Sequence, residues 1–258
     1  MNDYKKIVLK IGSALISDEK NAGNQLINCL CNQISHLSKS SIEFVIVTSG
    51  AISQGQKILN ISSKPQDLES LQALAAIGQQ SLMGMYEKSF ETHNIKIAQV
   101  LLTHDDMNES NRCLNAKATI KKILELKVIP IINENDVVAT EEIRFGDNDN
   151  LAAMVSNLIQ ADLMIILTNQ DGFFDKNPDI YEDASLIKKC DIRQINVDDY
   201  DDGSTSKHGT GGFKTKLQAV KISAESKTDT VIASGYRKDV LIKILKNVDI
   251  GTFFPSYK

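Results

Sequence analysis

The sequence predicts an α/β fold in which helices cover both faces of a mostly parallel central sheet. Short apolar runs alternate along the chain with longer segments whose apolar residues recur every three or four positions. The short runs are almost continuously apolar, which is typical of strands that are covered on both faces. Alternation of this kind predicts parallel strands joined by crossover helices.

Six runs have the composition of buried strands. They are residues 6–11, 44–48, 97–103, 128–132, 163–168 and 230–234. Amphipathic periods between them predict helices. Their apolar positions are Ile27, Leu30, Ile34 and Leu37, then Leu68, Leu71, Ala75, Leu82 and Met85, and then Leu114, Ala118, Ile123 and Leu126. No repeat or linker divides the chain, so we expect residues 1–258 to form one domain.

Composition and charge exclude several classes of function. Hydrophobic residues make up 42% and charged residues 24% of the 258 residues, as in ordinary globular proteins. The net charge of −4 argues against nucleic-acid and membrane-surface binding. The chain start lacks a signal-peptide pattern, and no apolar window approaches the roughly 18 residues of a spanning helix. These features predict a cytoplasmic protein.

The four cysteines give no sign of a disulfide or metal framework. Cys29, Cys31, Cys113 and Cys190 form no C-x-x-C pair. Cys29 and Cys31 lie two residues apart on a predicted helix, so their side chains point in different directions. Free thiols in a reducing cytoplasm are therefore expected.

Small, polar or glycine-containing residues follow the first five predicted strands: GSAL, SGAIS, HDDMN, NENDVV and NQDGFF. Ligands of open α/β sheets bind outside the carboxyl ends of the strands, so this edge is the candidate active site. Residues 133–150, NENDVVATEEIRFGDNDN, hold two polar clusters around a segment that is compatible with a hairpin. Turn formation also favours such residues, and both explanations remain open at this point.

The common phosphate-binding motifs are missing. No G-x-G-x-x-G follows a predicted strand. Gly50 and Gly55 have the spacing of a P-loop, but Gln56 stands where the lysine is needed. A dinucleotide enzyme and a P-loop kinase are therefore disfavoured.

Three other segments indicate a binding site for an anion. Each of them also has a purely structural explanation. Lys10 lies inside a predicted buried strand, where its ammonium must reach an anion or extend to solvent. Residues 48–51, TSGA, join a strand to a helix whose first N–H groups can bind an anion, although a tight turn needs the same residues. Residues 209–216, GTGGFKTK, place Lys214 and Lys216 in the first turn of a helix. There they oppose the helix dipole unless a polyphosphate binds; a flexible surface loop is the alternative.

Five segments, in this order, resemble the glutamate 5-kinases of the amino acid kinase superfamily. They are KIVLKIGSAL, VIVTSGAISQG, PIINENDVVATEEIRFGDNDNLAA, LTNQDG and GTGGFKTKLQA. The similarity runs from about residue 6 to residue 254. INEND followed by GDNDN is specific to the glutamate members, whereas KIG and TSGA are shared across the superfamily.

The resemblance implies a three-layer α/β/α sandwich with a mostly parallel central sheet. It implies phosphoryl transfer from ATP, with Mg²⁺, to L-glutamate, giving L-glutamyl 5-phosphate in the first step of proline synthesis. It also implies a homo-oligomer (dimer or tetramer) and feedback inhibition by proline, with a sensitivity loop near residues 141–145. Many bacterial members carry a PUA domain after the kinase. This sequence ends where that domain would begin, so a single amino acid kinase domain, 1–258, is expected.

Roles for individual residues are also implied. Lys10 and Lys216 match two lysines that flank the phosphates and stabilise the transition state, and Asp149 matches the carboxylate that orients both. The substrate residues are Ser49, Asp136 and Asn148, with Asn133 as a further candidate. The nucleotide-binding residues are Lys10, Gly12, Ser13, Gly50, Thr168, Asn169, Thr210, Gly211, Gly212, Phe213, Lys214, Thr215 and Lys216. No side chain is assigned as a metal ligand, and the four histidines are given no catalytic role because the γ-carboxylate of glutamate is already ionised at neutral pH.

One departure and two rival functions accompany this interpretation. The family usually has Asp where this chain has Asn169, which removes a negative charge from the nucleotide or metal contact. A kinase for another small carboxylate, such as acetylglutamate or carbamate, is disfavoured by Asp136, because an N-acetylated substrate has no ammonium to pair with it. A non-catalytic sensor is disfavoured because Lys10, Lys216 and Asp149 are all present.

Overall fold

The computed structural model describes residues 4–17, 23–139, 148–176, 178, 180–200 and 212–257. The described strands are β1 Lys6–Ile11, β2 Glu43–Val47, β3 Ile97–Leu102, β4 Ile129–Glu134, β5 Leu163–Thr168, β6 Asp229–Ser234 and β7 Thr252–Phe254. The described helices are α1 Ser13–Ser17, α2 Gly23–Ser38, α3 Ala51–Leu59, α4 Leu68–Glu91, α5 His104–Asn108, α6 Ser110–Glu125, α7 Asn148–Ile159, α8 Phe213–Glu225 and α9 Val240–Leu245. Two short 3₁₀ helices lie at Ile192–Gln194 and Val197–Tyr200.

The strands form one seven-stranded sheet in the order β3-β4-β2-β1-β5-β6-β7. All pairs are parallel except β6 with β7. The six predicted strands are confirmed, and β1 and β5 have the predicted bounds. The edge strand β7 was not predicted, because three residues give too short a pattern to recognise.

Two separate hydrophobic clusters lie on the two faces of the sheet. Along β1, Ile7, Leu9 and Ile11 join one cluster, which includes side chains of α1 to α4 and α9. Val8 joins the other, with side chains of α6, α7 and α8. Because successive side chains of a strand point to opposite faces, this alternation confirms the three-layer α/β/α sandwich.

Helices α3 and α4 approach each other unusually closely, and two glycines make this possible. A Cβ added to Gly55 would lie 2.1 Å from the carbonyl oxygen of Leu74, and one added to Gly78 would lie 1.8 Å from that of Ala51. Neither position has room for a larger residue. This contact fixes the middle of α4 beside the start of α3, next to the carboxyl end of β2.

The parallel strands end together, as the sequence predicted. Thr48, Glu134, Thr168 and Ser234 therefore lie along one edge of the sheet. None of the described helices is long and apolar enough to cross a membrane. All four cysteines are free, as predicted. Cys29 is exposed and Cys31 is buried, which agrees with side chains that point in different directions.

Candidate active site

Three charged side chains meet at the carboxyl edge of the sheet. Asp149, in the first turn of α7, lies 2.6 Å from the Nζ of Lys10 and 3.1 Å from the Nζ of Lys216, each through a different carboxylate oxygen. Lys10 comes from β1 and Lys216 from the first turn of α8. The structure thus brings together the three residues that were assigned to catalysis.

This lysine–aspartate–lysine set is almost completely shielded from solvent. The exposed fractions are 5% for Lys10, 2% for Asp149 and 8% for Lys216. Burial alone would raise the pKa of Asp149, but the two lysines outweigh burial and hold that pKa below its ordinary value. The carboxylate is therefore ionised at neutral pH, and the set carries a net charge of +1, which suits an anionic ligand.

Both lysines in the first turn of α8 have carboxylate partners within the protein, and the partner of Lys214 was not predicted from the sequence. Lys214 pairs with Asp198 at 3.2 Å, and Lys216 pairs with Asp149. The Thr215 hydroxyl lies 3.2 Å from Asp149 and 3.0 Å from the carbonyl oxygen of Gly212. Asp198 is exposed and Asp149 is shared with Lys10, so these carboxylates offset the positive charge at this helix end only in part.

The small residues after β1 and β2 have distinct surroundings. The Gly12 N–H donates to the carbonyl oxygen of Leu167 at 3.2 Å. This N–H is therefore already hydrogen-bonded to β5 and does not point to a phosphate. An added Cβ at Gly12 would lie 3.3 Å from the carbonyl oxygen of Leu167 and 3.9 Å from the Lys10 ammonium, so the glycine allows a close approach to β5. Ser13 begins α1. Gly50 precedes α3 with φ of 101°, a conformation that favours glycine.

The remaining predicted nucleotide residues lie along the same edge on the β5 and α8 side. Thr168 ends β5 half-buried, and its hydroxyl donates to the Oδ1 of the exposed Asn169 at 3.1 Å. Gly212 precedes α8, and Phe213 packs on Phe173 with ring centroids 5.4 Å apart. Thr210 and Gly211 lie outside the described residues, as does the predicted proline-sensitivity loop at residues 141–145.

Asn148 connects the predicted acceptor residues. Its side-chain Nδ2 lies within hydrogen-bond distance of three acceptors: the Thr48 carbonyl oxygen at 2.5 Å, the Asn133 Oδ1 at 2.8 Å and the Ser49 Oγ at 3.0 Å. Asn148 and Asn133 are buried, whereas Ser49 is half-buried. Because Asn148 immediately precedes Asp149, one turn of α7 joins this amide group to the lysine pair.

Two residues that the sequence analysis did not single out support this amide group. Gln79 of α4 accepts a hydrogen bond from the Asn133 Nδ2 at 2.8 Å. Tyr86, buried on the same helix, lies 2.9 Å from the Thr48 hydroxyl through its own hydroxyl. Their positions on an amphipathic helix look like ordinary helix surface and core in sequence, so no local pattern identifies them.

A cavity of about 620 Å³ lies between α4 and the carboxyl ends of β3 and β4. Asp136 lines it, together with Glu134, Gln79 and Gln99. The cavity therefore adjoins the amide group through Gln79, on the side away from Lys10 and Lys216. Asp136, one of the residues predicted to bind the acceptor, lies on this side of the candidate site.

The charge state of Asp136 differs from that of an ordinary aspartate. Burial and, after it, the charge of Glu134 raise the pKa of Asp136 to about 7, while the charge of Lys64 acts in the opposite direction. Glu134 is 5% exposed and its Oε2 lies 3.3 Å from the Nδ1 of His104. His104 was given no role from the sequence, but the structure places it against Glu134, which lines the cavity.

The arrangement has two halves with different chemistry. One half is a buried, positively charged set that can neutralise phosphoryl oxygens. The other is an acidic cavity that can receive a cationic group. Amide and hydroxyl groups lie between them and can orient a polar molecule that reaches both. No group of three or more His, Cys, Asp or Glu side chains suited to a metal occurs in the described part of the chain.

Comparisons with known proteins place the chain in a family. The model of the amino acid kinase family matches residues 5–234, so the chain belongs to the amino acid kinase family. A glutamate 5-kinase of Marinomonas sp. (strain MWYL1) is 44% identical over 250 residues, which cover 96% of this chain and 67% of that protein. A glutamate 5-kinase of Caldanaerobacter subterraneus subsp. tengcongensis is 45% identical over 254 residues, covering 98% and 68%. The chain thus spans about two thirds of the length of these relatives.

Solved structures agree on the fold. The isopentenyl phosphate kinase of T. acidophilum superposes with a TM-score of 0.65 over 97% of this chain and 100% of that chain, at 16% identity. The UMP kinase of Ureaplasma parvum gives a TM-score of 0.64 over 98% and 99%, at 17% identity. At such low identity these likenesses concern the fold alone.

Proposed function

We propose that this protein transfers the γ-phosphoryl group of ATP to the γ-carboxylate of L-glutamate, giving L-glutamyl 5-phosphate for the first step of proline synthesis. The main support is the buried Lys10–Asp149–Lys216 set. Its Asp149 directly follows Asn148, whose side-chain amide connects the predicted acceptor residues. The glutamate 5-kinases that match 96% or more of the chain support the same substrate.

The chemistry needs charge stabilisation rather than a base. A glutamate side chain has a pKa of about 4.3, so the attacking carboxylate is already ionised at neutral pH. Lys10 and Lys216 are placed to neutralise the charge that spreads over the phosphoryl oxygens during in-line transfer. Asp149 holds both ammonium groups in position, since each is bonded to a different oxygen of its carboxylate. No covalent enzyme intermediate is required.

The acceptor half distinguishes the substrate by its charges. Asp136 pairs with the ammonium of glutamate, and Ser49, Asn148 and Asn133 bind its carboxylates through hydroxyl and amide donors. Gln79 holds the Asn133 amide, whose orientation decides whether a donor or an acceptor faces the substrate. An N-acetylated acceptor has no ammonium for Asp136 and binds less well.

The nucleotide occupies the β5 and α8 side of the edge, where Thr168, Asn169 and the residues before Lys216 lie. Mg²⁺ supplies further charge neutralisation on the phosphate oxygens when ATP is bound. The described residues do not fit a protein-held metal site, because the Asp149 carboxylate is already engaged by two lysines and no other metal-binding cluster is found among them. The metal is therefore expected to arrive on the nucleotide.

Regulation, assembly and compartment complete the proposal. We expect inhibition by proline, which shares the α-ammonium and α-carboxylate of glutamate, and a homo-oligomer of two or four chains in the cytoplasm. Light scattering on the purified protein would measure the oligomer directly. A monomer at all concentrations would contradict that part of the proposal without touching the reaction.

The decisive assay traps the acyl phosphate with hydroxylamine. Purified protein is incubated with Mg-ATP and L-glutamate, and hydroxamate and ADP are measured with and without millimolar proline. Hydroxamate that depends on glutamate is expected, with N-acetyl-L-glutamate as the comparison acceptor. Turnover with N-acetyl-L-glutamate alone would change the substrate and keep the mechanism, whereas no turnover on any carboxylate would refute the kinase.

A further inference from the structure

Tyr86 of α4 is a buried phenol to which the proposed mechanism gives no role. It is 1% exposed and belongs to the hydrophobic cluster on the α1 to α4 face of the sheet. Its hydroxyl lies 2.9 Å from the hydroxyl of Thr48, the fully buried residue that follows β2. Buried hydroxyls cost free energy unless they are hydrogen-bonded, so this pair needs a defined arrangement.

The two hydroxyls form a relay with one direction. The single hydroxyl proton of Thr48 is donated to the carbonyl oxygen of Ser49 at 3.2 Å. The Thr48 oxygen is then the acceptor, and the Tyr86 hydroxyl donates to it. Burial raises the pKa of Tyr86, so the phenol keeps its proton at neutral pH and remains a donor.

The backbone of Thr48 is held by other groups. Its N–H donates to the carbonyl oxygen of Ile132 at 2.9 Å, and its carbonyl oxygen lies 2.5 Å from the Nδ2 of Asn148. The relay from Tyr86 therefore acts on the next peptide of the chain, which joins Ser49 to Gly50.

The orientation of the Ser49–Gly50 peptide decides where the Gly50 N–H points. In a trans peptide the C=O and N–H bonds point in opposite directions, so the Gly50 N–H points away from the Thr48 hydroxyl. None of the residues that the structure describes accepts a hydrogen bond from it. Gly50 has φ of 101°, and because glycine tolerates many backbone conformations, hydrogen bonds have to fix this peptide.

The peptide lies beside the groups proposed to act on the phosphoryl group. Ser49 and Gly50 are half-buried, so a ligand can reach them where it cannot reach Tyr86. The Ser49 Oγ lies 3.0 Å from the Nδ2 of Asn148, and Asn148 directly precedes Asp149 of the lysine–aspartate–lysine set.

Resting on the proposed function, we propose that Tyr86 is a positioning residue: through Thr48 it orients the Ser49–Gly50 peptide so that the Gly50 N–H donates to the transferring phosphoryl group. Tyr86 itself touches no substrate. A donor that is already oriented stabilises developing charge without reorganising during the reaction. Loss of the relay should therefore lower kcat and leave the KM values nearly unchanged.

Tyr86→Phe removes the first hydroxyl of the relay and little else. It should lower kcat by about three- to tenfold, the effect of one neutral hydrogen bond, with the KM of glutamate and of ATP within about twofold of the wild type. Tyr4→Phe is the matched control, because the Tyr4 hydroxyl bonds Asp229 at 2.7 Å at the opposite edge of the sheet. It should leave kcat unchanged.

Variants of Thr48 separate positioning from stability. Thr48→Ser keeps a hydroxyl and should stay closer to the wild-type kcat than Thr48→Val, which leaves the Tyr86 hydroxyl buried without its partner. The double variant Tyr86→Phe/Thr48→Val removes both hydroxyls, so urea unfolding should show that part of the lost stability returns. Its kcat should stay as low as that of Thr48→Val. Recovery of kcat together with stability would overturn the positioning role.

The orientation of the peptide can be measured without any turnover. Labelling the carbonyl carbon of serine and the nitrogen of glycine selects two peptides, Ser49–Gly50 and Ser234–Gly235. The residual dipolar coupling of the Gly50 N–H should change in Tyr86→Phe. That of Gly235, which donates to the carbonyl oxygen of Thr168 at 2.9 Å, should not. An unchanged Gly50 coupling would overturn the relay.

These measurements separate the relay from the proposed reaction. A wild type that forms no hydroxamate would refute the kinase, and the dipolar couplings would then decide the orienting role of Tyr86 alone. Hydroxamate formation with the same kcat in the wild type and Tyr86→Phe would overturn the positioning role and leave the kinase intact. If Tyr86→Phe does not fold, the double variant, which leaves neither hydroxyl unpaired, replaces it in both measurements.

Discussion

Asp149 and Asp136 are aspartates at the same edge of one sheet, yet their surroundings move their pKa values in opposite directions. Asp149 lies between two lysines, which hold its pKa below the ordinary value despite complete burial. Asp136 lies beside Glu134 in a partly enclosed cavity, and its pKa rises to about 7. Burial acts to raise the pKa of both aspartates, and only at Asp149 do charged neighbours, the two lysines, reverse that direction.

The two halves of the site differ in how their charged side chains are paired. In the half proposed to bind phosphate, the three charged groups are paired with one another, and the two lysines keep Asp149 ionised. In the half proposed to bind the acceptor, burial and the charge of Glu134 raise the pKa of Asp136, and the proposed cationic partner is the ammonium of the acceptor. In the proposed function, the charges of the first half act on the transition state and those of the second half on recognition of the acceptor.

The largest effect should come from breaking the paired half. Asp149→Asn leaves Lys10 and Lys216 buried without their shared counterion, which should lower the free energy of unfolding by about 3–5 kcal/mol. Urea unfolding measures this loss. Asp171→Asn is the control, because Asp171 pairs with Arg237 at the exposed surface, where a pair contributes about 1 kcal/mol or less. Equal losses in the two variants would contradict the role of Asp149 as a buried counterion.

Lys216→Ala should slow the chemical step more than it weakens substrate binding. Removing a positive charge from the transferring phosphoryl group should lower kcat by about 10²–10³-fold, with a smaller change in the KM of glutamate. Steady-state kinetics separate the two constants. Lys221→Ala, which removes an exposed lysine from the same helix, is the matched control; similar kcat values in the two variants would remove Lys216 from catalysis.

Asp136→Asn should change how stability depends on pH. Between its ordinary pKa of 3.8 and about 7, Asp136 holds a proton in the folded state that the unfolded chain lacks. Its contribution to stability therefore falls as pH rises through this window, by at most about 1.4 kcal/mol per pH unit. Asp149 has the opposite sign, since its stabilisation is complete above 3.8 and is lost as pH falls below that value.

Urea unfolding at several pH values from 4 to 8 measures this difference. The stability of Asp136→Asn relative to the wild type should increase with pH up to about 7 and then level off. The same measurement on Asp105→Asn, which removes a carboxylate from an exposed position, serves as the control. If the free energies of unfolding of Asp136→Asn and the wild type differ by a constant amount across this pH range, the pKa of Asp136 lies near its ordinary value. The two aspartates would then not differ in the direction proposed.

The smallest effect should come from the link between the halves. Gln79→Ala removes the acceptor that orients the Asn133 amide, and a neutral hydrogen bond contributes about 1 kcal/mol. The KM of glutamate should rise by a factor of about 2–10 with kcat little changed. Lys88→Ala, at an exposed position of the same helix outside the cavity lining, should leave KM unaltered. An equal rise in both variants would assign the effect to the helix and not to Asn133.

The sequence by itself determined the layers of this protein and most of its strands. Continuous apolar runs such as residues 163–168 can only be satisfied by burial on both faces, and the edge to which polar residues converge follows from parallel pairing. Lys10, Asp149 and Lys216 were named from a resemblance, and their roles stay predictions until the variants are measured. The short antiparallel strand at residues 252–254 carried too little pattern to be predicted.

Only the tertiary structure decided which charges face each other. Glu134 and Asp136 have the same charge and lie two residues apart, and nothing in NEND indicates that they share a cavity with Gln79. Lys214 and Lys216 looked equally free in sequence, whereas packing gave one an exposed partner and the other a buried one. Local pattern fixes burial through periodicity, but electrostatic partners lie many residues apart, and their distances exist only once the chain has folded.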